Sequence, residues 1–171
     1  MDNYFKIGRL AASIGLDGEI ILEHNLGKKT DLLGVQAIFL SNTDGKMLPY
    51  FLKSSKASKT NEVILKLEDI HTMESARKLT PKDVWLLEKD FNQHKSQDAP
   101  IALLGFHIIS QGTDLGEIIE IFDMPHQTLC TIIINEKEVL IPIHSDNTTK
   151  IDRKNKTIEV DVPDGLLEVY E

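Results

Sequence analysis

The chain has 171 residues, 41% hydrophobic and 27% charged, with a formal net charge of −8. That length allows one large domain or two small ones, and that composition fits a globular protein able to bury a core. No apolar run approaches the roughly 20 residues of a membrane helix, and the early charges of MDNYFKIGRL do not read as a signal peptide. The single cysteine, Cys130, excludes an internal disulfide and agrees with a reducing, cytoplasmic setting.

The elements read in chain order are mostly short strands. FKIGRLAASIGLDGEIILEHNL predicts a strand, a glycine turn at Gly15 and Gly18, and a second strand. VQAIFLSNTDGKMLPYFLKSS predicts a hairpin, because apolar runs flank Asp44-Gly45, a dipeptide suited to positive φ. NEVILKLED alternates Val63, Leu65 and Leu67 against Ile64 and Lys66, the period of a half-buried strand. TMESARKL is the one clear helix signal, with Thr72 as N-cap and Glu74 and Lys78 at i,i+4. EKDFNQHKSQDAP, residues 88–100, is polar and ends at Pro100, which reads as a linker.

Beyond it the pattern is again β. IALLGFHII turns at Gln111-Gly112 into LGEIIEIFDM. LCTIIIN and KEVLIPI flank a short turn at Asn135-Glu136. KIDRKNKTIEVDV turns at Lys154-Asn155, and DGLLEVY closes the chain. The expectation is an all-β protein of two small β-barrel domains joined by a short linker, with one short helix. Its boundaries would be a first barrel over 1–90, a linker over 91–100 and a second barrel over 101–171.

Charge divides along the same line. Residues 1–95 hold 14 Lys and Arg against 13 Asp and Glu, whereas residues 96–171 hold 5 against 14. The second half suits a basic partner. In the first half, Lys53, Lys56 and Lys59 fall in the Ser-rich stretch FLKSSKASKTN, read as a loop. Lys28 and Lys29 fall in the loop GKKTD, and Arg9 stands in the first strand. Such residues either follow a phosphate backbone or serve only solubility.

Little asks for catalysis. The glycines of GRLAASIGLDGEI are too widely spaced for a dinucleotide fingerprint, and a β run follows where a helix would be needed. The chain lacks the Gly-Lys-Ser/Thr ending of a P-loop. No two of the six histidines share a helical spacing, and none pairs with Cys130 at a zinc spacing. Cys130 lies in an apolar run and reads as a buried structural residue. Glu117 and Glu120, at strand spacing, fall on opposite faces. No cofactor and no metal are expected.

Taken together, IGRLAASIGLDGEI, then LKLEDIHTMESARKL, then LLGFHII, LGEIIEIFD, KEVLIPI and KTIEVDVPDGLLE in that order resemble the RimM family of ribosome maturation factors. The resemblance spans nearly the whole chain. It implies a translation-factor-like barrel followed by a PRC barrel, and a non-catalytic assembly factor in place of an enzyme. It further implies binding to the head of the immature small ribosomal subunit, where the factor assists 16S rRNA folding and processing. The implied partners are a basic head protein, small-subunit ribosomal protein nineteen, and neighbouring rRNA, with no membrane and a monomeric chain. On that reading Arg9, Lys28, Lys29, Lys53, Lys56 and Lys59 are the candidates for rRNA. Glu117, Glu120, Glu138 and Pro142 are the candidates for the protein partner. The chain departs from the family pattern at Ala12, Ile14 and Asp17 in the first turn. Before LLG it has Asp98, Ala99 and Ala102 where paired aromatics and an aspartate are usual, leaving Phe91 and Phe106 as the aromatics that could replace them. The competing readings are a PRC-barrel adaptor unrelated to ribosomes and an enzyme using an inter-barrel cleft.

Overall fold

The computed structural model describes residues 2–163 and 165–168. The chain divides between Ala99 and Pro100 into two compact units, and both are built almost wholly of strands.

The first unit is a closed barrel. Its strands are β1 (Tyr4–Ile14), β2 (Glu19–His24), β3 (Ala37–Ser41), β4 (Met47–Lys59), β5 (Glu62–Leu67) and β6 (Asp83–Leu87). They close in the order β1-β2-β5-β4-β3-β6. Strand alternation explains the core: Val63, Leu65 and Leu67 of β5 are buried together with Ile20 and Leu22 of β2 and Ile7 and Leu10 of β1. Each such side chain contributes roughly 1.5–3 kcal/mol by leaving water.

Gly8 sits where β1 pairs with both neighbours, opposite His24 on β2 and Val84 on β6. A Cβ there would collide with the Glu23 carbonyl oxygen and lie 2.8 Å from the His24 Cα, so the close approach requires glycine. The β1–β2 turn uses Gly15 at φ 63° and Gly18 at φ 87°. It is a strand corner, and the Lys66 ammonium donates to the carbonyl oxygens of Asp17 and Ile70 beneath it.

α1 (Met73–Arg77) lies between β5 and β6, and the Thr72 hydroxyl accepts the Ser75 N–H as expected of an N-cap. Three features differ from the sequence expectation. FLKSSKASK is no loop: Lys53, Lys56 and Lys59 all belong to β4, which runs thirteen residues and pairs with β5 through two bulges. Polar Ser and Lys residues hide a strand whose pairing is supplied by its neighbour. The polar stretch expected as a linker begins with a second helix, α2 (Glu88–His94). It has a single apolar residue, Phe91, too few to show periodicity. That residue is fully buried with its ring 4.8 Å from Phe5. Beyond α2 the chain stays with the first unit, the Ser96 N–H donating to the Leu26 carbonyl at 2.7 Å.

The second unit opens with a 3-10 turn at Pro100–Leu103 where IALL had suggested strand. Its strands are β7 (His107–Ser110), β8 (Thr113–Glu117), β9 (Glu120–Met124), β10 (Gln127–Ile134), β11 (Lys137–Ile143), β12 (Thr148–Asp152) and β13 (Thr157–Val160). They form two sheets, β11-β10-β9 and β12-β13-β7-β8. LGEIIEIFDM therefore divides between β8 and β9 on different sheets, so Glu117 and Glu120 are not opposite faces of one strand. Ile108, Ile118, Cys130, Ile132, Val139, Ile141 and Ile158 are fully buried in this unit. Burial pushes the Cys130 thiol up to about 12, which removes it as a nucleophile at neutral pH. Of the closing DGLLEVY, Asp164, Val169 and Tyr170 lie outside the described residues.

The β7–β8 and β10–β11 hairpins turn in two residues. Positive φ occurs at both Gln111 (51°) and Gly112 (78°), and at both Asn135 (51°) and Glu136 (64°). This is the type I′ signature, for which Asn-Gly is the favoured pair. Glu136 bears the steric penalty of the left-handed region. Glu136→Gly should raise the unfolding free energy by about 1 kcal/mol, measured by urea denaturation. An unchanged or lower midpoint would show that the turn carries no such strain.

Candidate binding surfaces

On the outside of the first barrel the strand registers create a charged row. Lys59 on β4 pairs with Glu62 on β5, Glu62 with Glu23 on β2, Glu23 with Arg9 on β1, and Arg9 with Asp83 on β6. Within it Lys59 lies 3.3 Å from Glu62 and Arg9 lies 3.6 Å from Glu23. Exposed pairs of this kind stabilise by only about 0–1 kcal/mol. Their larger effect is local: Arg9 and Lys59 are matched by carboxylates, so a phosphate approaching them also meets negative charge.

Lys53 and Lys56 differ. Lys56 lies opposite Ile64, and the row continues through Ile21 to Ala12. Lys53 is exposed at the bulge between Leu52 and Ser54. Lys28 and Lys29 are exposed in the loop after β2. Among the described residues no carboxylate pairs with any of these four.

The loop carrying Lys28 and Lys29 is held by buried polar groups that sequence reasoning did not find. The Leu26 N–H donates to His24 Nδ1 at 3.2 Å, which assigns the His24 proton to Nε2. That Nε2 is buried with no partner among the described residues. Burial lowers the His24 pKa from 6.5 to about 4. On α2, His94 Nε2 lies 3.0 Å from the Leu33 carbonyl, which can only accept. Nδ1 then accepts from the Thr30 hydroxyl at 2.8 Å, and that hydroxyl accepts the Leu32 N–H at 3.1 Å. Both ends of the loop are thereby tied to the barrel and to α2. A lone polar histidine in a sequence carries no mark of burial, so nothing in the spacing separates His24 and His94 from the exposed His71, His126 and His144.

In the second unit, β9, β10 and β11 bury one face, which includes Ile121, Cys130, Ile132, Val139 and Ile141. The register places Glu120, Phe122, Leu129, Thr131, Ile133, Glu138, Leu140 and Pro142 on the other. Phe122, Ile133 and Leu140 are 43%, 45% and 42% exposed. Three of the four protein-partner candidates, Glu120, Glu138 and Pro142, thus share a face with exposed apolar side chains. The fourth does not join them: Glu117 lies on β8 of the other sheet, opposite His107, whose Nδ1 is 2.9 Å from Asp114. Phe91 and Phe106 are both buried in their own units, so neither replaces an exposed aromatic anchor. Among the described residues no cluster of three or more His, Cys, Asp and Glu side chains could hold a metal ion, and no helix is long and apolar enough to cross a membrane.

Fold and surfaces define a class: a two-unit all-β protein whose outward features are lysines on one barrel and an acidic, apolar sheet face on the other. A model of the RimM N-terminal domain matches residues 5–91, and one of the RimM PRC barrel domain matches residues 100–166. The ribosome maturation factor RimM of Phocaeicola vulgatus is 31% identical, spanning 97% of this chain and 98% of its own. That of Christiangramia forsetii is 27% identical over 97% of this chain and 95% of its own. A RimM crystal structure from Pseudomonas aeruginosa, 20% identical, covers 94% of this chain and 98% of that one with a TM-score of 0.41. This chain belongs to the RimM family, its first unit the RimM N-terminal barrel and its second the PRC barrel.

The buried His24 makes acid stability a test of the loop's anchoring. The unfolded chain takes up its proton near pH 6.5, while the native state resists until about pH 4. The unfolded state therefore binds more protons across that window, and stability falls as pH drops through it. Between pH 7 and pH 5 the wild type should lose about 2 kcal/mol more than His24→Leu. Urea denaturation at the two pH values measures this, and equal losses would place His24 in contact with water.

Proposed function

We propose that the chain is a non-catalytic ribosome assembly factor that binds the immature small subunit at its head. The PRC barrel docks on a basic head protein, small-subunit ribosomal protein nineteen, and the first barrel touches neighbouring rRNA. Binding stabilises an intermediate in head folding, a shift of population and not a chemical step.

The observation that carries this reading is where the charge sits. Residues 1–99 hold 14 Lys and Arg against 14 Asp and Glu, and residues 100–171 hold 5 against 13, so the whole net charge belongs to the second unit. There it accompanies an apolar sheet face. Apolar area framed by carboxylates complements a basic protein surface, which supplies both burial and orientation. The relatives, matched over nearly their full length, are named ribosome maturation factors.

Ion pairing makes some of the candidate cations better suited to rRNA than others. Among the described residues Lys28, Lys29, Lys53 and Lys56 have no carboxylate partner, so each can release a counterion on meeting a phosphate. Arg9 and Lys59 must first give up a glutamate. Neutralising all four of the former should lower the salt slope of rRNA binding by roughly 3, at about 0.7–0.9 per contact. Arg9→Gln with Lys59→Gln should change it by less. In sucrose gradients the wild type should co-migrate with immature small subunits and not with mature ribosomes. A chain that stays at the top of the gradient would sink the assembly role, and an unchanged salt slope would return the lysines to solubility.

A further inference from the structure

The first barrel carries a groove that the reading above does not use. It has a volume of about 310 Å³ and is lined by Phe39, Pro49, Phe51, Leu87, Lys89 and Asp90. That is the small end of ligand sites, roughly 300–1,000 Å³, and suits one planar group. Two observations mark it as more than an apolar dent. Asp90 is only 6% exposed, yet among the described residues its carboxylate has no hydrogen-bond or ion-pair partner, and it lines this groove. The carboxylate oxygens are not among the enclosed unpaired atoms, so they open into the groove and can accept from a donor that enters it. Beside it, Phe51 is 50% exposed, and Phe39 is braced edge-on by Tyr4 at 4.8 Å.

An apolar floor, one carboxylate and one ammonium describe a flat ligand with donors on its edge and an anion attached. Among the nucleobases, guanine alone offers two adjacent donors, N1–H and the exocyclic amine, which match the two oxygens of a carboxylate. Adenine and cytosine each offer one amine beside an acceptor, and uracil one imino group between two carbonyls. An arginine side chain also offers paired donors and stacks on aromatic rings. The Lys89 ammonium in the same groove opposes a second cation and favours a phosphate.

We propose that this groove is a subsite for an unstacked guanine of single-stranded RNA. Its ring rests on Phe51 and Pro49, its Watson–Crick edge donates to Asp90, and Lys89 meets its backbone phosphate. Recognition of this kind, stacking plus edge readout of a splayed base, is the usual mode for single-stranded RNA. The proposal rests on the rRNA-binding reading above and adds a base preference that the lysines cannot supply.

The test uses the full chain and short uridine oligonucleotides carrying one central G, A or C, read by fluorescence anisotropy. The G oligonucleotide should bind about tenfold tighter than the A or C forms. Asp90→Asn should level G with A. Phe51→Ala, at a half-exposed position that leaves the core intact, should weaken the G form by about tenfold. Thermal unfolding of Asp90→Asn checks that it folds; if it does not, base discrimination by the wild type and its loss in Phe51→Ala decide. Equal affinity of the wild type for G and A, or an undiminished G preference in folded Asp90→Asn, would overturn the subsite. So would an arginine peptide that displaces the G oligonucleotide from the wild type, which would reassign the groove to a protein side chain. Salt-dependent rRNA binding with no base preference removes only this subsite, whereas absence of any RNA binding removes the rRNA role itself.

Discussion

Val63, Leu65 and Leu67 fill the first barrel, and that commitment turns Glu62, Ile64 and Lys66 outward. The same two-residue period runs through both units. It decides which side chains are spent on the core and which remain for a partner. Because paired residues on neighbouring strands share a face, the outward side chains are ordered in rows across the sheet. The row Lys59, Glu62, Glu23, Arg9 and Asp83 exists only because five strands hold their registers together.

Those rows distinguish charge from available charge. Arg9 and Lys59 look as good as Lys53 and Lys56 when only residue types are counted. Strand pairing gives the first two a glutamate each and leaves the second two without one. In the PRC barrel the same geometry works the other way. It gathers Glu120, Glu138 and Pro142 with Phe122, Ile133 and Leu140 on one face of β9, β10 and β11. Carboxylates beside exposed apolar area make a surface with both attraction and burial to offer, and bare acidity would offer only the first.

Polar burial is concentrated around the lysine loop and α2. His24, Thr30, Asp90 and His94 are all buried there. Thr30 and His94 are satisfied by each other and by backbone, and they anchor the loop. Asp90 lies on the same helix as His94 but has no such partner among the described residues. The contrast separates groups that hold the structure from one that faces a groove.

The amino-acid sequence by itself determined the all-β class, the two-part organisation, most hairpins and the α1 cap. These depend on local chemistry: alternation, turn residues such as Asp44-Gly45 and Asn135-Glu136, and the Thr72 hydroxyl. It also carried the charge division and the motifs that place the chain in its family. Elements with weak local signals were decided by tertiary structure. β4 continues through FLKSSKASK because β5 supplies its hydrogen-bond partners. α2 forms with one apolar residue because Phe91 finds Phe5. Glu117 and Glu120, three residues apart, part onto different sheets, while Glu120 and Glu138, far apart in sequence, come to share one. The burial of His24, His94 and Asp90 belongs to the same category, since burial is set by what packs over a residue and not by its neighbours in the chain.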